Sequence, residues 1–225
     1  MEKNKKLIIY GKGLTSELAY YYFQKYTEYD VVSFCTEKQF LDSTSFQGLP
    51  LVDFNGIEKK YSVQSHYFFI ALGFGNINQD RRKIYFQVKN LGYSISSFVH
   101  PSVINESSTI GENCFIYENV VLQPFSIIED NVTVAPLSLI GHHCIIKHSA
   151  FIASNVTLQG LVEIGENTFI GPNTNVLPKL QIGNNIIVLY NSIVSTNIPN
   201  NKICYMDYKN NIRDIKYAKL FKDFS

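Results

Sequence analysis

The chain has 225 residues, enough for one large domain or two modest ones. Its 20 Lys and Arg stand against 19 Asp and Glu, so it carries no electrostatic footprint for nucleic acid. Abundant Tyr and Phe (15 and 16, with no Trp) fit a well-cored globular protein and say little more.

The basic start, Met1 to Lys6, is followed by only four apolar residues before Gly11. That run is too short for the apolar core of a signal peptide and far too short to span a membrane. Leu7-Ile8-Ile9-Tyr10 reads as a short buried strand ending in Gly11-Lys12-Gly13. Thr15 or Ser16 is then expected to cap a helix running to about Tyr26, with Val31 to Cys35 as a second strand. A Gly-x-Gly turn between strand and helix brings backbone amides to an anion at the helix N-terminus. Ser16 stands where a dinucleotide fingerprint would have its third Gly, and Cys35 and Thr36 stand where its acidic residue would end the second strand. A dinucleotide cofactor is therefore not expected. Two readings remain open: a tight turn only, or a seat for the nucleotide or phosphate of a substrate.

His66 to Gly73 is the next strand, running into Gly73-Phe74-Gly75-Asn76 at the end where α/β sheets present loops to ligands. Arg81-Arg82-Lys83 opens an amphipathic helix to about Asn90, its charges read as a solvated face, with Gly92 as a stop. Tyr93 to Pro101 is a last strand, and His100 before Pro101 reads as structural. Residues 1–97 thus form a small Rossmann-like α/β domain.

From Ile104 to Val194 every sixth residue, sixteen in all, is Ile, Leu or Val. Two positions earlier the side chains are small or β-branched (Ser108, Cys114, Val120, Ser126, Val132, Ser138, Cys144, Ala150), and Gly often follows the aliphatic. A period of six fits neither an α-helix nor a two-sided strand. It is the signature of a parallel β-helix built as a three-walled prism, with the aliphatics pointing to the axis. Sixteen hexads make about five coils and, at ~4.8 Å per coil, a column roughly 25 Å long. Gly or Asn beside the aliphatic is expected to take the positive φ of each corner. Residues 98–197 form this prism, and 198–225 a tail that covers its open end, with a short helix over Ile215 to Phe221. The four cysteines, at 35, 114, 144 and 204, show no CxxC pairing; Cys114 and Cys144 read as core residues in a reducing cytosol.

Chemistry has few candidates on such a prism. Ile140-Gly141-His142-His143-Cys144 puts His142 two residues past an inward aliphatic, on the outside, where imidazole takes a proton near neutral pH. His148 has the same place one hexad on, but on a different face, so no metal is expected.

Gly11-Lys12-Gly13, Phe68 to Gly73, Phe98-Val99-His100-Pro101 and the Gly141-His142-His143-Cys144 turn together resemble the bacterial sugar acetyltransferases of the NeuD/PglD type. The resemblance implies a Rossmann-like domain for a nucleotide-linked amino sugar, a left-handed β-helix for acetyl-CoA, a homotrimer, and a cytoplasmic enzyme of glycan biosynthesis without a metal. Carried over, His142 is the catalytic base and His143 its neighbour, where the family usually has an acidic residue. Gly11, Lys12, Gly13 and Gly73 correspond to the sugar-nucleotide site, and Phe151, Gly160, Pro172 and Tyr190 to the acetyl-CoA site. Pro172 has no amide hydrogen, Phe151 replaces a common His, and Tyr190 is bulky where small residues are usual. These departures keep three readings open: N-acetyl transfer, transfer to a hydroxyl or of a larger acyl group, and a non-catalytic assembly module.

Overall fold

The computed structural model of the protein describes residues 2–204. The expected tail cover and its helix over Ile215 to Phe221 lie outside the described residues.

The N-terminal part is a six-stranded sheet. Strands β1 (Lys5–Tyr10), β2 (Tyr29–Thr36), β3 (Ser45–Phe46), β4 (Leu49–Asp53), β5 (His66–Ile70) and β6 (Ser94–Ile95) lie in the order β3-β4-β2-β1-β5-β6. Only β3 is antiparallel to its neighbour. Helices α1 (Leu14–Tyr26) and α2 (Gln79–Asn90) cover opposite faces, because alternate residues of β1 point opposite ways. Leu7 and Ile9 pack with Ala19 and Phe23 of α1. Ile8 and Tyr10 pack with Ile84, Tyr85 and Val88 of α2. The strand expected from Tyr93 to Pro101 is broken in two: β6 closes this sheet, and Phe98–Val99 begins the prism.

Two-residue strands then stack in three walls. The first wall holds seven of them, at 98–99, 115–116, 133–134, 151–152, 169–170, 187–188 and 203–204. The second holds six, from 104–105 to 193–194, and the third five, from 109–110 to 181–182. The aliphatics from Ile116 to Val188 are almost wholly shielded from solvent, and together they make one continuous core. Each such side chain contributes about 1.5–3 kcal/mol on burial.

Three expectations need correction. Ile104 does not point inward: it pairs with Val121, is 53% exposed, and leaves Asn105 opposite the inward Leu122. The coil that enters the prism is one residue short between Asn105 and Ile110, a slip hidden by the unbroken apolar period. The positive φ falls three residues after the aliphatic, at Asn113, Asn131, His143 and their equivalents, and the Gly that follows the aliphatic does not have it. Those glycines serve close approach instead: a Cβ on Gly141 would lie 2.7 Å from the backbone of Leu158 and Gly160 in the next coil. Finally, the column continues beyond Ile198, which bridges to Ile182, while Ile203–Cys204 pairs with Ile187–Val188.

The two parts share a hydrophobic seam in which Phe98 and Phe115 of the first wall pack against Phe23 of α1 and Phe69 of β5. His100 is structural, its ring 4.8 Å from that of Tyr26. Helix α2 lies along the corner between the third and first walls, and its charges do not all face water. Arg81 is buried and donates from Nη2 to Ser149 O and Ala150 O (both 3.2 Å), and from Nη1 to the Thr133 hydroxyl. No carboxylate pairs with it among the described residues, and burial pulls the Arg81 pKa down to about 10. Among the described residues no helix is long and apolar enough to cross a membrane.

Candidate active site

The carboxyl ends of β1 and β2 meet the start of α2 around a cavity of about 530 Å³. Gly11, Lys12 and Gly13 form one wall, Thr36, Glu37 and Phe40 a second, and Asp80 and Lys83 a third. Gly11 has φ +118°, and a side chain there would lie 2.4 Å from Ser16 Oγ and 2.9 Å from Ala71 O. Only glycine fits. Gly13 itself occupies the cap position of α1, without a side-chain cap. The expected cap Ser16 is buried, donating to Ala71 O at 3.1 Å, and so ties α1 to the end of β5. Gly73, expected at this site, lies beside Thr15 and is not among the residues that line the cavity.

Sequence reasoning missed Asp80 and Lys83 and set Glu37 aside as one residue past the end of the second strand. The acidic residue sought at the end of β2 is displaced by one position, and Glu37 faces the cavity. Lys83 pairs with Glu37 at 3.3 Å, and Lys12 pairs with Asp42, so both cations at the mouth are held by surface carboxylates that an anionic ligand could replace. Burial together with Glu37 pushes the Tyr10 phenol pKa up, leaving it a neutral hydroxyl at the cavity wall.

His142 and His143 stand on the corner between the second and third walls, and both are exposed. The His142 amide donates to Gln123 Oε1 at 3.0 Å, which fixes the backbone from the coil below. Its ring lies over Gly160 in the coil above, where a Cβ would come within 2.5 Å of Nε2. Gly160 thus makes room for the imidazole. The Nδ1 atoms of His142 and His143 are 3.1 Å apart, one donating to the other. The His143 ring packs on Phe125, with centroids 4.9 Å apart.

The remaining expected residues are elsewhere. Phe151 lies on the first wall between Phe74 and Phe169, with the Arg81 guanidinium 5.7 Å from its ring centre. Pro172 and Tyr190 line an apolar furrow of about 460 Å³ with Phe74, Phe169, Ile187 and Leu189, by the corner between the first and second walls. One chain therefore joins His142, His143 and Gly160 on one corner, and Phe151, Pro172 and Tyr190 on and beside another wall. It brings Gly11 to Gly13 to neither. His148 is half-buried against Tyr85 and Phe86, apart from His142 (centroids 5.1 and 5.2 Å). No group of three or more His, Cys, Asp or Glu that could hold a metal occurs among the described residues.

Residues 107–142 match the bacterial transferase hexapeptide family (six repeats). The acetyltransferase domain of PglB from Neisseria gonorrhoeae, solved also with acetyl coenzyme A, superposes with a TM-score of 0.82 at 21% identity, covering 90% of this chain and 97% of that one. PerB from Caulobacter crescentus, solved with CoA and GDP-perosamine, gives 0.79 at 21% identity, over 89% and 94%. WeeI from Acinetobacter baumannii gives 0.57 at 17% identity, over 87% and 93%. The chain thus has the fold of these proteins, a left-handed β-helix preceded by a small α/β domain.

Proposed function

We propose that this protein is an acetyl-CoA-dependent N-acetyltransferase acting on a nucleotide-linked amino sugar, with His142 as the general base. The observation that carries the reading is the His142 imidazole seated over Gly160 on an exposed corner, with Nδ1 engaged by His143 and Nε2 left to receive a proton. The similar PerB binds CoA and GDP-perosamine, which supports the substrate class.

In this reading the β1–α1 cavity holds the nucleotide. Gly13 at the start of α1 presents backbone amides to the diphosphate, and Lys12 and Lys83 exchange their carboxylate partners for it. Glu37 accepts from the ribose hydroxyls, and the half-exposed Phe40 offers a face for the base. The sugar amine attacks the thioester carbonyl, and His142 takes the amine proton as the tetrahedral intermediate forms. General-base help of this kind contributes ~10²–10⁴ in rate. Holding two large substrates together supplies much of the rest.

Because the cavity and His142 occupy different corners, the site closes between copies. Exposed Leu137 flanks the second wall on one corner, exposed Phe125 and Leu161 flank it on the other, and Ile193 points out between them. These two edges differ, so copies meeting through them contact head to tail. With a triangular cross-section that arrangement closes as a ring of three. His142 of one copy then faces the Pro172–Tyr190 furrow of the next. The apolar lining of that furrow favours, as a second reading, an acyl group larger than acetyl.

The test is thiol release from acetyl-CoA and longer acyl-CoAs with UDP-, dTDP- and GDP-linked 4-amino-4,6-dideoxysugars, with the product identified by mass. An amide product with acetyl-CoA supports the first reading, and preference for a longer acyl-CoA supports the second. No thiol release above the spontaneous rate with any pair overturns both.

A further inference from the structure

We infer that His143 relays the proton that His142 takes up, so that the base is a pair of imidazoles acting in series. The inference rests on the acetyltransferase reading above and goes beyond it by giving His143 a step of its own.

Three observations point to it. First, the two rings meet through their Nδ1 atoms at 3.1 Å, a hydrogen-bond distance along which a proton can cross. Second, His143 has φ +56°, a left-handed conformation that most equivalent corners give to Asn, including Asn113, Asn131, Asn155 and Asn173. The left-handed region costs an ordinary L-residue roughly 1–2 kcal/mol, which Asn largely avoids by local hydrogen bonding. The turn, shared with Phe125, Leu161 and Lys179 on this corner, fixes the direction in which the His143 side chain leaves the backbone. Third, Gln123 holds the His142 amide from below, and Phe125 supports the His143 ring at 4.9 Å, so the His142 backbone and the His143 ring are held before substrate arrives.

In the resting pair His142 carries its hydrogen on Nδ1 and donates it to the lone pair of His143 Nδ1. His143 carries its own hydrogen on Nε2. As the amine nitrogen bonds to the thioester carbon, its proton passes to His142 Nε2. The Nδ1 proton of His142 crosses to His143, which becomes the imidazolium, while His142 stays neutral with hydrogen on Nε2. When the C–S bond breaks, sulfur leaves with the electron pair and takes the Nε2 proton. His143 then returns its Nδ1 proton to His142. The amine proton ends on CoA, and no charge is left on the protein. A carboxylate at position 143 would orient His142 and stabilise its cation; an imidazole can accept the proton outright.

His143→Asn separates relay from positioning. Asn is the commonest residue at these corners, so the fold tolerates it, and its carbonyl accepts the same Nδ1 hydrogen but takes no proton. The measurement is single-turnover acetyl transfer to the amino sugar that the protein uses, in mixtures of H2O and D2O. The wild-type rate should fall along a curve, the mark of two protons in flight, and His143→Asn should fall along a straight line, with the rate down about tenfold and KM unchanged. Equal rates and the same curvature in both proteins would overturn the relay, even with His142→Ala inactive. If no acyl-CoA is cleaved with any amino sugar, the acetyltransferase reading itself fails, and the two failures are thereby told apart.

Discussion

Two corners of one prism make the same left-handed turn and fill it differently. On the corner beside α2 the turn residues form a ladder of short polar side chains. Asn113 Nδ2 donates to Asn131 Oδ1, and Asn131 Nδ2 to Ser149 Oγ, both at 2.7 Å. Higher up, Asn167 Nδ2 donates to Asn185 Oδ1 at 3.1 Å. This corner is bound into its own chain: Asn113 accepts from the Ile70 amide at 2.8 Å, and Asn78 donates to Asn167 O at 3.2 Å. On the corner that carries His142 the same positions are Phe125, His143, Leu161 and Lys179, with no such ladder. Phe125 is 63% exposed and Leu161 47%. Where the chain supplies its own partner, the corner takes the residue that backbone geometry prefers. The third corner, between the first and second walls, also keeps mostly Asn at this turn (Asn119, Asn155, Asn173 and Asn191), so the departure is confined to the corner of His142.

That contrast can be broken at several points. The largest effect is expected at the working corner: His142→Ala should slow acyl transfer by about a hundredfold or more and leave stability unchanged, because the ring is exposed. An unaltered rate removes His142 from the mechanism. Next come paired changes of the turn residues. Asn131→Leu on the docked corner strands the Asn113 and Ser149 groups it bonds, and should cost about 1–3 kcal/mol in a denaturant titration. Leu161→Asn on the other corner should leave the unfolding midpoint unchanged or raised at low protein concentration, while weakening self-association measured by sedimentation. Equal destabilisation by both would erase the distinction between the corners.

A smaller effect belongs to His148, which holds on the docked corner the place that His142 holds on the working one. Burial, followed by the nearby Arg82 charge, keeps its pKa below the usual 6.5, with Asp130 and Glu166 opposing. A histidine held neutral in the fold contributes its full stability above the unfolded pKa, and this is lost as pH falls below 6.5 toward the folded value. Stability should therefore drop between pH 7.5 and 5.5, and His148→Phe should drop less. Identical slopes would show that His148 is not protected.

Much of this contrast was legible in the sequence, and the part that was not has physical causes. The sixfold aliphatic period is local and placed the walls, the inward residues and the exposure of His142. It misled at Ile104, where a coil one residue short still presents an aliphatic at the expected spacing. It also could not show which residue of a corner turns left-handed, since Gly and Asn both suit that turn and only the stacked coil shows that Gly141 is needed for space. The cavity beyond Gly11 escaped for a different reason. Lys12, Glu37 and Lys83 meet only because α2 crosses the end of β2, and no spacing in the chain records that packing. Arg81 reads as a solvated charge until the prism is laid against it.

The central claim is that His142 acts on substrates held by another copy. His142→Ala lacks the base, and Gly13→Phe fills the nucleotide cavity at a position with no atom within 4 Å of a new Cβ, so neither change disturbs the fold. Each variant alone should be inactive. Denatured together in equal amounts and refolded, they should recover about a quarter of wild-type activity, since one seam in four pairs an intact His142 edge with an intact cavity. A mixture as inactive as its parents would contradict the account.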